Sequence, residues 1–286
     1  MNLYDSLSAD GTALRSRFPE IFQPDWKARA ATVGVVGGGI ALLAYGFWSL
    51  DFTWSRFFTG INQLGTFIRL MLPPDAGSWN RFLIYLNGLG ETLAIAFLGT
   101  MVAAIIAFPL GFLAARQIMP GWVFRFTLRR GLDTLRAVDI LIWALIWINV
   151  VGLGPFAGVL ALICSDIGSF GKLYSEAIEA ADRKAAEGVL STGGSSLHRL
   201  RFGLLPQVLP VMTSQVLYFF ESNTRSATII GIVGAGGIGQ HLAEQIRTLE
   251  WQHVSFLVLM ILLTVSIIDL ISSRLRFAII GAHQQH

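Results

Sequence analysis

The chain has 286 residues, of which 53% are hydrophobic and 14% charged, with 20 Phe, 8 Trp, 30 Gly and a formal net charge of +3. A soluble domain carries about a quarter charged residues, so this composition points to bilayer-spanning helices instead. The small, dispersed positive charge leaves no nucleic-acid footprint. The single cysteine, Cys164, excludes an internal disulfide and reads as helix packing, and no Cys/His cluster has metal-ligand spacing.

Residues 1–30 mix Asp5, Asp10, Arg15, Arg17, Glu20, Asp25, Lys27 and Arg29 with isolated apolar residues. A cleaved signal would begin with a basic stretch and an apolar core, so this segment is expected to be a retained cytoplasmic tail. Phe18, Ile21, Phe22 and Trp26 could lie along the inner surface as a short interfacial helix. Residues 31–50 form the first span, 20 residues without a charge. Residues 51–84 read as an external connection, because Pro73-Pro74 interrupts any continuous helix.

A second span is expected from Thr92 to Ala115, followed by Arg116, Arg125, Arg129, Arg130 and Arg136. Ile140 to Ser165 is uncharged, but Gly152-Leu153-Gly154-Pro155 divides it into two shorter helices meeting at a turn. A fifth span begins at Phe202 and continues past Phe220 toward Ile232, and a sixth runs from His253 to Ile268. Asp166 and Asp269 fall near expected helix ends, where they could cap, pair or sit among headgroups. Trp54, Trp143, Trp147 and Trp251 are interfacial anchors or packing residues. With both termini inside, the interior segments hold 4, 5, 5 and 2 Lys/Arg against 3 and 1 outside. That bias satisfies the positive-inside rule. The resulting fold class is an all-α membrane protein of about six transmembrane helices with both termini cytoplasmic.

The segment 176–206 is a charged, Gly-rich insert between apolar runs. Ala and Glu favour a helix from Glu176 to Glu187, with Glu179 and Arg183 placed as an i,i+4 pair. Thr192-Gly193-Gly194-Ser195-Ser196 breaks it, and Ser195 or Ser196 could cap a second helix through Leu197, His198, Arg199, Leu200 and Arg201. Leu205-Pro206 returns the chain to the membrane. The expected form is a knob beneath the bilayer.

Further along, Ser214, Tyr218, Glu221, Arg225 and Thr228 make a polar stripe inside an apolar span. Charge at membrane depth is costly unless paired or facing a wet interior. Glu221 and Arg225 are therefore either a structural pair or part of a translocation path. Gly234-Ala235-Gly236-Gly237-Ile238-Gly239 matches the dinucleotide pattern G-x-G-x-x-G, but no βαβ unit surrounds it. Gly234, Gly236, Gly237 and Gly239 instead suit tight turns and close helix approach, with a possible gating role.

The insert resembles the cytoplasmic signature of permease subunits of bacterial ABC importers: Glu-Ala-Ala, three residues, Gly, nine residues, an aliphatic residue, any residue, Leu-Pro. Glu187, Gly193 and Leu205-Pro206 match at the right spacing. Gly188-Val189 stands for Ala-Ala, and Gly203 for the aliphatic residue. The resemblance sharpens to phosphonate-transport permeases through Leu89-Gly90-Glu91-Thr92-Leu93, Val151-Gly152-Leu153-Gly154-Pro155-Phe156, Gly171-Lys172-Leu173-Tyr174-Ser175-Glu176, Tyr218-Phe219-Phe220-Glu221 and the segment from Arg225 to Gly239. It covers residues 85–276, with 277–286 as a cytoplasmic C-terminal tail. Asp139 and Asp166 depart from that family, which often has proline then glutamate before the third span and a histidine at the second position.

The resemblance implies the type I ABC importer permease fold in a bacterial cytoplasmic (inner) membrane. It implies a second permease subunit, identical or a paralogue, two cytoplasmic ATPases that bind ATP and Mg, and an external phosphonate-binding protein. Glu179, Glu187, Gly193, His198, Arg199, Leu205 and Pro206 would couple to the ATPases, whose closure would pull the knobs together. Arg225 would attract the anion while Glu221 keeps it from binding too tightly. Phosphite, phosphate and methionine are rival cargoes. The chain has no Walker A sequence, no catalytic set among its five scattered histidines and no expected cofactor of its own. A membrane enzyme would need such a set, and a secondary transporter would not need the insert's spacing.

Overall fold

In the computed structural model, residues 26–119 and 121–281 are described. The chain divides into two units, the first ending at Phe67 and the second beginning at Ile68. Expectations for Phe18, Ile21 and Phe22 lie outside the described residues.

The first unit carries α1 (Trp26–Ser49) and most of α2 (Trp54–Leu70). Arg29–Ser49 is apolar enough to span a membrane and is not buried anywhere along its length. In α2 no residue is buried, and its apolar and polar residues separate onto opposite faces. The connection expected over 51–84 thus contains a helix, α2, which ends before Pro73-Pro74. Its apolar residues are spaced for one face of a helix rather than run together, so no uninterrupted apolar stretch marks it. Phe47, Phe52, Trp54 and Phe57 pack edge-on or tilted around the turn between the two helices.

The second unit is built on α3 (Trp79–Ala114), which packs most extensively on α6 (Pro155–Ala180). Ser78 caps α3 by accepting from the Arg81 amide. The helix thus starts 13 residues before the expected Thr92 and, at 36 residues, is roughly 54 Å long. That exceeds a hydrocarbon core of about 30 Å, which is why hydropathy alone found only its apolar part. Small residues let α6 approach closely: a side chain at Gly99 would meet Leu162, and one at Gly111 would meet Tyr174.

Between these helices, α4 (Trp122–Ala137) and α5 (Ile140–Val151) meet at a bend of 86°. Asp139 caps α5 by accepting from the Leu141 amide at 2.8 Å, which accounts for a carboxylate at that position. The turn expected at Gly152–Pro155 is present, with Gly152 and Gly154 at positive φ and Pro155 opening α6. However, α5 has 12 residues, too short to cross a bilayer alone. The described residues hold five helices long and apolar enough to span, or six when the bent α4–α5 pair counts as one.

The remaining elements are α7 (Arg183–Ser191), the short α8 (Ser196–His198), a π-helical turn (Arg199–Leu204), α9 (Leu205–Ile232), α10 (Gly237–Arg247) and α11 (Trp251–Gly281). Phe170, Tyr174, Ile178, Val208 and Met212 form the main core with alanines of α3. Trp143 and Trp147 pack beside Ala144, Ala161, Ile230 and Ala235. Residues 277–281, expected in a tail, continue α11. Asp166 lies mid-helix in α6 and Asp269 in α11, so neither is at a helix end.

Candidate functional site

Two polar constellations stand out in the second unit. The first is the knob. Its first helix starts at Arg183, where Asp182 caps it by accepting from the Lys184 amide at 2.9 Å. The expected helix from Glu176 to Glu187 is therefore divided, because residues 176–180 finish α6. Gly193 takes φ +84° in the turn. Ser195 is the residue that caps, accepting from the His198 amide while His198 Nδ1 accepts from the Ser195 amide. His198 also stacks on Phe202. The second knob helix is one short turn that runs through the π-helical segment into Leu205-Pro206, the start of α9. Gln207 closes the knob's base, accepting from the Asp182 amide at 3.0 Å and donating to the Gly203 carbonyl at 2.6 Å.

Glu179 does not pair with Arg183. It accepts from Arg129 Nη2 at 2.5 Å and from the Arg116 amide at 2.7 Å, and its carbonyl accepts from Gln117 Nε2 at 3.1 Å. Arg129 Nε also donates to the Ala114 carbonyl at 2.9 Å. Residues 114–117, α4 and the end of α6 are thereby tied at one carboxylate. Arg199 Nη2 adds a contact to the Gln117 carbonyl at 3.4 Å. Glu187 is exposed and lines a cavity of about 280 Å³ with Arg116, Arg183 and Arg199. Glu179→Ala is expected to lower stability by about 2 kcal/mol, since it strands a guanidinium and a backbone amide together. Thermal unfolding in detergent would show it, with Glu179→Gln losing less because its amide oxygen still accepts.

The second constellation lies on α9. The expected stripe divides into two lines, because residues seven apart share a line whereas four apart turns it by about 40°. Ser214, Glu221 and Thr228 are buried, whereas Tyr218 is exposed and Arg225 half exposed. Ser214 Oγ has no partner among the described residues, and Thr228 Oγ1 donates to the Thr224 carbonyl at 3.1 Å. Arg225 approaches Glu221 Oε1 at 3.4 Å, and Arg276 of α11 approaches Oε2 at 3.0 Å. Arg276 is one of the two basic residues of the last interior segment, and spacing alone does not connect it with this carboxylate.

Two further sets escaped the sequence reading. Asp166 and Asn223 meet at 2.5 Å, and Asn223 also donates to Thr100 Oγ1 at 2.8 Å, joining α6, α9 and α3. At the opposite end from the knob, Glu91 accepts from the Gly237 amide and Thr92 from the Ile238 amide, both at 2.8 Å. These side chains of α3 cap α10 from outside it. Gly234, Gly236 and Gly237 have positive φ in the turn that makes this docking possible. The turn joins two helices with no strand beside it, which excludes the dinucleotide reading.

Long apolar helices, one polar knob and ionisable side chains within the spans define a multi-pass membrane permease. Residues 107–280 match the family described as binding-protein-dependent transport system inner membrane component, and the chain belongs to that family. It is 34% identical to the phosphite transport system permease protein PtxC of Stutzerimonas stutzeri, over 88% of this chain and 90% of PtxC. It is 36% identical to the phosphate-import permease protein PhnE of Mycolicibacterium smegmatis, over 75% of this chain and 40% of that one. Among solved structures, an inward-facing form of the MetNI methionine ABC transporter superposes with a TM-score of 0.61. That match has 21% identity and covers 71% of this chain and 99% of the other, which establishes the type I ABC importer permease fold.

Proposed function

We propose that this chain forms the membrane path of an ATP-driven importer for phosphonates or related phosphorus oxyanions. The observation that carries the reading is Arg225, half exposed in the last third of α9 and seven residues, about 10 Å, before its end. A guanidinium facing lipid there is costly, so it belongs on a wet interior, and the cation suits an oxyanion. The near full-length likeness to a phosphite permease supports the same chemistry. Likeness to the methionine transporter speaks for the fold alone.

In this reading the knob end is cytoplasmic, as the Lys/Arg bias indicates, and the membrane is the bacterial inner membrane. Two partner ATPases bind ATP and Mg and grip Glu187, His198 and Arg199 on the knob, while Glu179 transmits the movement to α4 and the 114–117 turn. Gly193 and Leu205-Pro206 shape the knob. A second permease copy or paralogue completes the path, and an external binding protein delivers the anion. Tyr218 borders Arg225 on the exposed line, with Ser214 and Thr228 on the buried one. The turn at Gly234, Gly236, Gly237 and Gly239 gates its outer mouth.

Uptake of labelled methylphosphonate should return when cells lacking the gene are complemented, with phosphite and phosphate competing better than methionine. An assembled complex that leaves uptake absent, or methionine as the strongest competitor, overturns the cargo. Glu187→Lys should leave insertion intact but weaken ATPase copurification about tenfold, equivalent to 1.4 kcal/mol. Unchanged copurification with unchanged transport would remove Glu187 from the contact.

A further inference from the structure

The two arginines at Glu221 are held differently. Both terminal nitrogens of Arg225 lie 3.4 Å from Oε1, beyond the usual charge-assisted range of about 2.7–2.9 Å. Its side chain is 48% exposed. Arg276 Nη1 lies 3.0 Å from Oε2, and its side chain is 23% exposed. The same nitrogen donates to Ser272 Oγ at 3.0 Å, and Ser272 Oγ donates to the Leu217 carbonyl of α9 at 3.1 Å. The Arg276 guanidinium also sits 6.0 Å from the Tyr218 ring centroid. Arg276 is thus fixed by both helices, whereas Arg225 has a loose contact and open space.

The place is deep. Glu221 and Arg276 each point toward the N-terminus of their own helix, and α9 and α11 meet near Leu217 and Ser272. Leu217 is 12 residues from the start of α9, roughly 18 Å along the helix, and Ser272 is nine residues before the end of α11. One carboxylate faces two guanidiniums there, leaving an excess of one positive charge. Asp269, two turns before Arg276 on α11, is exposed and makes no ion pair among the described residues.

We infer that Arg276 is a positioning residue for anion passage: it takes up the charge of Glu221 and so leaves Arg225 as the uncompensated cation that meets the oxyanion. This rests on the reading that Arg225 faces the path. Without Arg276, the full charge of Glu221 falls on Arg225, and the pair becomes neutral to a passing anion. Without both Glu221 and Arg276, Arg225 again stands alone with the original net charge. A simple lock between α9 and α11 has the opposite consequence, because the double variant lacks the lock entirely.

The test uses the complete transporter in proteoliposomes, comparing wild type, Arg276→Gln, Arg276→Lys and the double variant Glu221→Gln/Arg276→Gln. Uptake of labelled phosphite is measured at saturating binding protein. In parallel, Arg225 is labelled with phenylglyoxal with and without inorganic phosphate and read by mass spectrometry. Arg276→Gln should cut uptake about tenfold and abolish phosphate protection of Arg225. Arg276→Lys and the double variant should recover most of both. A double variant no better than Arg276→Gln overturns the inference. So does equal protection in wild type and Arg276→Gln, or no protection in wild type. If wild type imports no phosphorus oxyanion while the protection pattern holds, the cargo reading fails and the role of Arg276 stands.

Discussion

Gly239→Ala is expected to dislodge α10 and lower the unfolding temperature in detergent more than any other single methyl addition in the second unit. A β-carbon at Gly239 would run into the Thr228 carbonyl oxygen, with Gly231 Cα at 2.9 Å and Ile232 N at 3.0 Å. All three are backbone atoms of α9, so no rotamer change relieves them. The contact is mutual, since a β-carbon on Gly231 would lie 2.5 Å from the Gly236 carbonyl and 3.0 Å from Gly239 Cα. Separating the helices also draws the Gly237 and Ile238 amides away from Glu91 and Thr92. Overpacking costs up to about 3 kcal/mol, and losing a buried helix cap adds about 1 kcal/mol. Gly90→Ala is the control, because nothing lies within 4 Å of the added carbon and alanine favours the helix. An unchanged melting temperature for Gly239→Ala would mean that α10 slides freely on α9.

The spans were legible because a bilayer requires backbone groups to be satisfied within the helix, and an uncharged run of helical length has no other use. The turn at Gly152–Pro155 was legible for a similar local reason: glycine and proline act on their own backbone. Pairing across helices was not. Sequence spacing offered Arg183 to Glu179, four residues on, whereas the fold supplies Arg129 from 50 residues earlier. Arg276 lies 55 residues from Glu221 and looked like one more basic residue at a membrane edge. Asp166 was misplaced because a charge in an apolar run reads as its end, when Asn223 of another helix makes it tolerable mid-span. In each case the partner is chosen by helix packing, which local pattern does not encode.

The two departures from the importer signature have different physical origins, and substitutions toward the signature should act in opposite directions. Gly188 sits inside α7, and a β-carbon there would meet nothing within 4 Å. Gly188→Ala should therefore stabilise the knob by up to about 1 kcal/mol, the helix-propensity difference. Gly203 lies in the π-helical turn packed on α7, and its β-carbon would lie 2.7 Å from Ala186 Cα and 3.2 Å from Ala186 N. Gly203→Val, which restores an aliphatic residue, should wedge the two knob segments apart at about 2 kcal/mol. It should also strain the 2.6 Å bond from Gln207 to the Gly203 carbonyl that closes the base. Amide exchange across 183–207 is the measurement: faster in Gly203→Val, slower in Gly188→Ala. Trimming Ala186 to glycine cannot relieve the wedge, because the close atoms are backbone. Slow exchange in Gly203→Val would show that the knob can accept a larger residue, and that glycine there is not required by packing.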